Sequence, residues 1–226
     1  MTGAGFRPEA FRFLQNLADN NTREWFDANR TDYESLFKGP AARLRAGLAE
    51  ALSDLTGRAM ASKQFRINRD IRFSKDKTPY NAHVRMAFWP EGAAFDGKDA
   101  QPPSFFVSLE PDLVRIGTGC MAFSRPVLGA FLAALEAGEG AMISDLLQSL
   151  QGQRFETSEP DLARVPRGFP KDHPHAELAR HKGLAAFKTL DDLGLVQDDA
   201  AASTLARQWA PTLPFWHFLT SLQERT

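Results

Sequence analysis

The stretch Phe65-Arg66-Ile67-Asn68-Arg69-Asp70-Ile71-Arg72-Phe73-Ser74 decides the fold class. Phe65, Ile67, Ile71 and Phe73 sit on odd positions, and only Arg69 breaks the series. Arg66, Asn68, Asp70, Arg72 and Ser74 sit on even positions. A period of two separates these sets, whereas at helical period the four apolar residues scatter around the axis. The segment is therefore expected to be extended, as one strand or as a tight hairpin turning at Asn68-Arg69-Asp70. One strand would bury an apolar face and present Arg66, Asn68, Asp70, Arg72 and Ser74 in a row. A hairpin would leave Arg66 and Arg72 able to meet across the ladder.

The same period continues downstream. Val84, Met86 and Phe88 alternate with His83, Arg85 and Ala87, and Phe105, Val107 and Leu109 alternate with Ser104, Phe106 and Ser108. Glu110-Pro111-Asp112 signals a turn, after which Leu113 to Gly117 can return as a partner strand. Glu91 to Pro103, with Gly92, Gly97, Pro102 and Pro103, reads as a loop. Pro160 to Pro174 reads as another, and Leu184 to Leu190 as a further strand.

Both flanks follow helical spacing. Ala10, Phe13, Leu14, Leu17 and Ala18 make an amphipathic stripe. Asn21 with Glu24 has the form of a capping box for a short helix carrying Trp25 and Phe26, and Thr31 with Glu34 repeats it. Pro40 suits the first turn of a longer helix, with Leu44, Leu48, Ala51, Leu52 and Leu55 on one face and Gly57 as its stop. Beyond the strands, Ser124 caps and Pro126 opens a helix with Leu128, Phe131, Leu132 and Leu135 on one face. Ile143, Leu146, Leu147 and Leu150 make another face. A last pair covers about Ala200 to Gln223. The expected fold is α+β: a single domain over residues 1–226, with a mainly antiparallel sheet packed by N- and C-terminal helices.

The composition fits such a core. Of 226 residues, 43% are hydrophobic and 24% charged, near the soluble globular average. This excludes a disordered chain, a collagen-like chain and a disulfide scaffold. The net charge is −1, but it hides an uneven distribution. Lys63 to Lys77 holds six basic residues against Asp70 and Asp76, a net +4. Arg164 to Lys182 holds five against Asp172 and Glu177, a net +3. The remainder is acidic.

Lys63 to Lys77 has the chemistry of an anion site. Guanidinium groups hold phosphate or carboxylate through paired hydrogen bonds of fixed geometry. Arg66, Arg69, Arg72, Lys75 and Lys77 are the expected cationic contacts, with Asn68 and Ser74 as neutral donors. Asp70 can orient an arginine or accept a proton, and Tyr80 can donate one; these two are the candidate catalytic residues. Pro79 drives Thr78 toward extended geometry. The competing reading is a solvated face whose charges pair with acids, which contributes little to stability.

Two runs resemble the signatures of a known family. One is Asn20-Asn21-Thr22-Arg23-Glu24-Trp25-Phe26, with Asn29-Arg30 and Tyr33. The other is Phe65 through Asn81. A weaker third match runs through Pro166, Gly168, Phe169, His173, Pro174 and Lys182. The chain resembles the conserved-hypothetical family called domain of unknown function 2461 over nearly its whole length. The resemblance implies a single-domain soluble protein. It brings no activity, substrate or catalytic residue, but it adds weight to an anion site.

The second basic segment is expected to fold beside the first, with Lys182 completing one positive pocket. Its His173, His175 and His181, with Glu177 and Asp172, match no strong metal-ligand spacing, so no metal is expected. No phosphate-cradling glycine loop and no Gly-x-Ser-x-Gly elbow are present, so no cofactor is expected. Trp25, Phe26, Trp89, Trp209 and Trp216 can line a pocket or stack on bases, but their apolar neighbours at helical or strand spacing make core packing the expectation. Cys120, the single cysteine, has no basic neighbour and reads as a small semi-buried residue. With no signal segment and no stretch near the ~20 apolar residues of a membrane helix, the protein is expected to be cytoplasmic and away from membranes. The best-supported partner is a small anionic ligand held by an Arg/Lys-lined site; one reading is a small enzyme acting on a phosphorylated metabolite or nucleotide, and whether the chain is an enzyme is left open by the sequence. The alternative is a non-catalytic module for nucleic acid or an acidic protein.

Overall fold

The computed structural model describes residues 5–95 and 101–226. Gly97 and the middle of the loop expected at Glu91 to Pro103 lie outside the described residues. The strands are β1 (Met60–Gln64), β2 (Val84–Pro90), β3 (Ser104–Leu109), β4 (Val114–Cys120), β5 (Glu156–Thr157) and β6 (Leu184–Leu190). They form one antiparallel sheet in the order β1-β2-β3-β4-β6-β5, with helices before and after it. This is the expected α+β fold. The Glu110 N–H donates to the Leu113 carbonyl at 2.9 Å, closing the β3–β4 hairpin at the expected turn.

Two compact units make up the chain. The first spans residues 1–88, 106–116 and 189–208. Its α1 (Pro8–Asp19) opens with Pro8 in the first turn and buries Ala10, Phe11, Phe13, Leu14 and Leu17. The next helix, α2 (Arg23–Ala28), starts one residue later than the capping-box signal implies: Thr22 is the cap, its hydroxyl accepting the Trp25 N–H at 3.2 Å. Helix α3 (Arg30–Tyr33) begins before Thr31 and passes through a π-helical turn, Glu34–Lys38, into α4 (Gly39–Thr56). Leu44, Leu48 and Leu52 are buried along α4, and Gly57 ends it at φ 68°, a left-handed geometry that suits glycine. Helix α4 packs on β1. The core here is aromatic. Phe37 meets Phe6 and Phe13, each at 5.9 Å between ring centroids.

The second unit spans residues 89–105, 117–188 and 209–226. Helix α5 (Arg125–Ala134) is capped by Ser124, whose hydroxyl accepts the Val127 N–H. A π-helical turn at Leu135–Glu139 leads into α6 (Gly140–Gly152). The run Arg125–Gly152 is, by length and composition alone, long and apolar enough to cross a membrane. This corrects the expectation that no stretch reaches that length. Gly138, at φ 92°, breaks its helical geometry midway. Phe131, Leu135, Ile143, Leu147 and Leu150 are buried along it. The C-terminal pair consists of α7 (Ala201–Trp209), most of which belongs to the first unit, and α8 (Leu213–Glu224). Helices α5 and α6 both pack on α8. The two largest core side chains satisfy their polar atoms: Trp209 donates to the Gly117 carbonyl at 3.0 Å and Trp216 to that of Pro103 at 3.3 Å. Trp216 stacks on Phe105 at 5.5 Å. A Cβ on Gly117 would fall 2.4 Å from the Phe187 ring, so only glycine fits there.

The main correction concerns Phe65 to Phe73. The strand lies just upstream, at Met60–Gln64, and residues 65–83 form a wide irregular loop between β1 and β2. Neither the continuous strand nor the tight hairpin at Asn68-Arg69-Asp70 is present. Local bonds explain why alternation fails. Asp70 accepts the Arg72 N–H at 3.3 Å and Asp76 accepts the Thr78 N–H at 2.9 Å. Such two-residue aspartate turns draw backbone donors away from a ladder. Only Ile67 of the four apolar residues is buried; Phe73 is 95% exposed.

Candidate functional site

The loop has an ordered neck. The Phe65 N–H donates to Arg85 at 2.9 Å, extending the β1–β2 pairing by one residue. Asn68 and Tyr80 form an isolated antiparallel bridge. The Asn81 backbone N–H donates to the Ile67 carbonyl at 2.7 Å, and the Asn81 side chain reaches the same oxygen at 3.2 Å. The Arg69 N–H donates to Pro79 at 2.9 Å. Ile67 anchors this neck inward.

Tyr80 closes the neck from the other side. Asn21, ahead of α2, holds its backbone by two bonds: the Tyr80 N–H donates to Asn21 Oδ1 at 3.0 Å, and Asn21 Nδ2 donates to the Tyr80 carbonyl at 2.9 Å. The Tyr80 ring is buried and stacks on Phe26, with centroids 4.2 Å apart. The two runs that carry the family resemblance thus meet at Asn21, Phe26 and Tyr80.

Beyond the neck the charges are organised. Asp70 grips Arg72 with both oxygens, Nε to Oδ1 at 2.9 Å and Nη2 to Oδ2 at 2.7 Å. Arg69 pairs with Asp76 and also reaches the Thr78 hydroxyl and carbonyl. The Asp76 carboxyl is held down to about 2, first by the Thr78 N–H, then by the Arg69 and Thr78 side chains. Lys77 Nζ donates to the Ile71 carbonyl at 3.0 Å and straps the tip. Arg66 and Lys75 are exposed and enter no ion pair among the described residues. Ser74 is half-buried, its N–H donating to Ile71 at 3.3 Å. The loop therefore brings Arg66, Asn68, Arg69, Asp70, Arg72, Ser74, Lys75, Lys77 and Tyr80 into one segment. Asp70 acts as a partner of Arg72.

His83 is a residue that sequence reasoning passed over. It is half-buried where the loop enters β2, and its imidazole is pushed down to about 4. Burial is the main cause, followed by the charges of Arg85 and Arg69. The signal was available: His83 and Arg85 share a face of the alternating run. What was missing was the fold of the neck, which brings Arg69 near.

Lys182 belongs to the second unit. Its backbone N–H donates to the Asp161 carboxylate at 2.6 Å, and the residue is exposed. Nearby, Arg180 is tied to the Leu162 carbonyl at 2.7 Å and to Glu177. His175 packs its ring on Gly140. His181 is buried, with its pKa lowered chiefly by burial and its Nδ1 unpartnered. Among the described residues no group of three or more His, Cys, Asp or Glu side chains is placed to hold a metal ion. Cys120 is buried, donates to the Gln101 carbonyl at 2.8 Å, and has its thiol pushed up to about 12 by burial. Such a thiol is no nucleophile.

The first unit also holds an open cleft of about 420 Å³. Phe13 and Trp25 form its aromatic wall, and Arg7, Asn16, Asn29 and Asp32 supply polar groups. None of the residues singled out from the sequence as site candidates lines it.

An antiparallel sheet with flanking helices, carrying a long basic loop between its first two strands, defines the class of protein. The chain belongs to the conserved hypothetical protein family DUF2461, whose pattern matches residues 9–218. No curated protein matches the chain.

Proposed function

We propose that the protein binds a phosphate-type anion on the loop between β1 and β2. The observation that carries this is the state of the loop's own acids. Asp70 is engaged by Arg72 and Asp76 by Arg69, whereas Arg66 and Lys75 are exposed and enter no ion pair among the described residues. A segment with six cations and two committed acids keeps a local positive potential in a chain of net charge −1. Arg69 and Arg72 are pre-oriented by their partners, which lowers the ordering cost of a second, incoming anion. Asn68 and Ser74 add neutral donors.

Binding fits this geometry better than proton transfer. Asp70 already grips a guanidinium with both oxygens, and the Tyr80 ring is stacked in the core. Titration with inorganic phosphate, pyrophosphate and tripolyphosphate, followed by calorimetry and thermal shift, tests the proposal. Saturable binding that weakens in Arg66→Ala and Lys75→Ala, with unchanged thermal stability, is the expected result. No binding of any of the three at low salt overturns it.

A further inference from the structure

We infer that the loop takes single-stranded nucleic acid, with phosphates on its cations and bases stacked on Phe73 and Phe65. This rests on the anion-binding reading and names the ligand class for the same loop.

Four large apolar residues are exposed among those described: Phe65, Phe73, Met121 and Met142. Both aromatic ones lie on the basic loop. Phe73 is 95% exposed and Phe65 36%. A phenylalanine in water at the tip of a loop gains nothing for folding, because its apolar area stays in solvent. Loss of the expected strand is what brings it there.

Each ring also carries a cation. The Arg72 guanidinium carbon lies 5.9 Å from the Phe73 centroid, and Lys63 Nζ lies 5.6 Å from that of Phe65. Asp70 fixes Arg72 beside its ring through the bidentate pair. The result is two aromatic platforms, one at the neck and one at the tip, each next to a positive charge. Arg66 and Lys75 are the residues immediately following Phe65 and two after Phe73.

This pairing of π-faces and cations is what a single strand requires. Stacking on an aromatic contributes regardless of base identity, and phosphate contacts contribute by releasing counterions. A free mononucleotide is a poorer fit. Small ligands bind tightly in enclosed pockets, whereas these groups are exposed and spread along the loop. A duplex is also a poorer fit, since its base faces are already stacked. A membrane surface would need more buried apolar area than Phe73 supplies, with Ile71 half-buried and every neighbour charged or polar.

Fluorescence anisotropy with end-labelled oligonucleotides of about 12 thymidines, read between ~50 and ~200 mM salt, tests the inference. The full-length protein is used, with tripolyphosphate and phosphatidylserine vesicles as parallel probes. Phe73→Ala is expected to weaken oligonucleotide binding about tenfold with an unchanged salt slope. Phe73→Trp is expected to restore it and Phe73→Leu is not. Lys75→Ala is expected to reduce the salt slope by about 0.7. Because Phe73 is exposed, its variants should melt with the wild type. Tripolyphosphate binding without oligonucleotide binding overturns this inference and leaves the anion-binding proposal standing. Failure of both probes overturns both. Equal oligonucleotide affinity in wild type and Phe73→Ala overturns the stacking, and Phe73-dependent binding to vesicles alone replaces it with a membrane.

Discussion

The side-chain amide of Asn21 pairs with the backbone of Tyr80 as a neighbouring strand would, accepting its N–H at 3.0 Å and donating to its carbonyl at 2.9 Å. The partners are 59 residues apart. Replacing Asn21 with Ala leaves a half-buried donor and acceptor without protein partners. The expected cost is about 2 kcal/mol, read as a lower urea midpoint. Asn21→Asp keeps the acceptor but turns a carboxylate toward the Tyr80 carbonyl, so it is expected to be at least as damaging. Wild-type stability in Asn21→Ala would show that the clamp contributes nothing.

Tyr80 separates structural from chemical roles. Its ring stacks on Phe26, and Phe26 also meets Tyr33 at 5.3 Å. Tyr80→Phe keeps the stack and is expected to cost under about 1 kcal/mol, whereas Tyr80→Ala opens a core cavity and is expected to cost about 3–5 kcal/mol. Chemical denaturation of both variants measures the difference. Anion binding should survive in Tyr80→Phe.

His83 makes stability depend on pH. Its pKa is near 4 in the folded chain, against an ordinary 6.5. Between these values the unfolded chain binds a proton that the folded chain refuses. The stability that His83 contributes is therefore expected to fall as pH drops from 6.5 toward 4 and to level off below. His181 acts in the same direction. His83→Gln should flatten part of this slope in urea melts across that window. Phosphate bound near Arg69 and Arg85 should raise the His83 pKa, which imidazole NMR shifts would follow.

Asp76 has the opposite window. Its carboxyl is held down to about 2 by Thr78 and Arg69, so its contribution is present above its ordinary 3.8 and is lost as pH falls toward 2. Protection of the Thr78 amide from hydrogen exchange, relative to its intrinsic rate, should be lost over that range, and Asp76→Ala should lack that protection at every pH.

Gly117 sits where β4 passes the Phe187 ring. A Cβ there would fall 2.4 Å from that ring, and the Gly117 carbonyl accepts the Trp209 indole N–H. Gly117→Ala is expected to cost about 1–3 kcal/mol through overpacking. A thermal melt unchanged from wild type would mean that the strand shifts freely.

Much of the architecture was legible because it rests on local rules. Ser124, Pro126 and Gly57 mark helix ends through backbone geometry that neighbours dictate. The strands read from the alternation at Val84 to Phe88 and Phe105 to Leu109 form as expected, and because both lie inside the sheet Ala87 and Ser108 are buried along with the apolar set. The same period misled at Phe65 to Phe73. There Asp70 and Asp76 bind backbone donors two residues on, an interaction that hydrophobic period does not register. Asn21 looked like a helix cap because Glu24 stands three residues on, but the cap is its neighbour Thr22. The true partner of Asn21 is far along the chain, and only the fold brings Tyr80 to it. The candidate cations were legible as composition, but the exposure of Phe73 and the setting of His83 were not.

The π-helical turn at Glu34–Lys38 introduces a phase change into the helical rod that contains it. Such a turn holds about one residue more than an α turn, so the helix beyond it is rotated by roughly 100° about the axis. Tyr33 and Phe37 stack at 5.1 Å at its start and belong to the aromatic wall against α1. Leu44, Leu48 and Leu52, beyond it, make an aliphatic wall in the helix that packs on β1. One rod thereby serves two differently aimed walls. Deleting a single residue from the turn would restore uniform winding and swing one wall off its target, so this segment is built to accept exchanges of side chain but not a change in length.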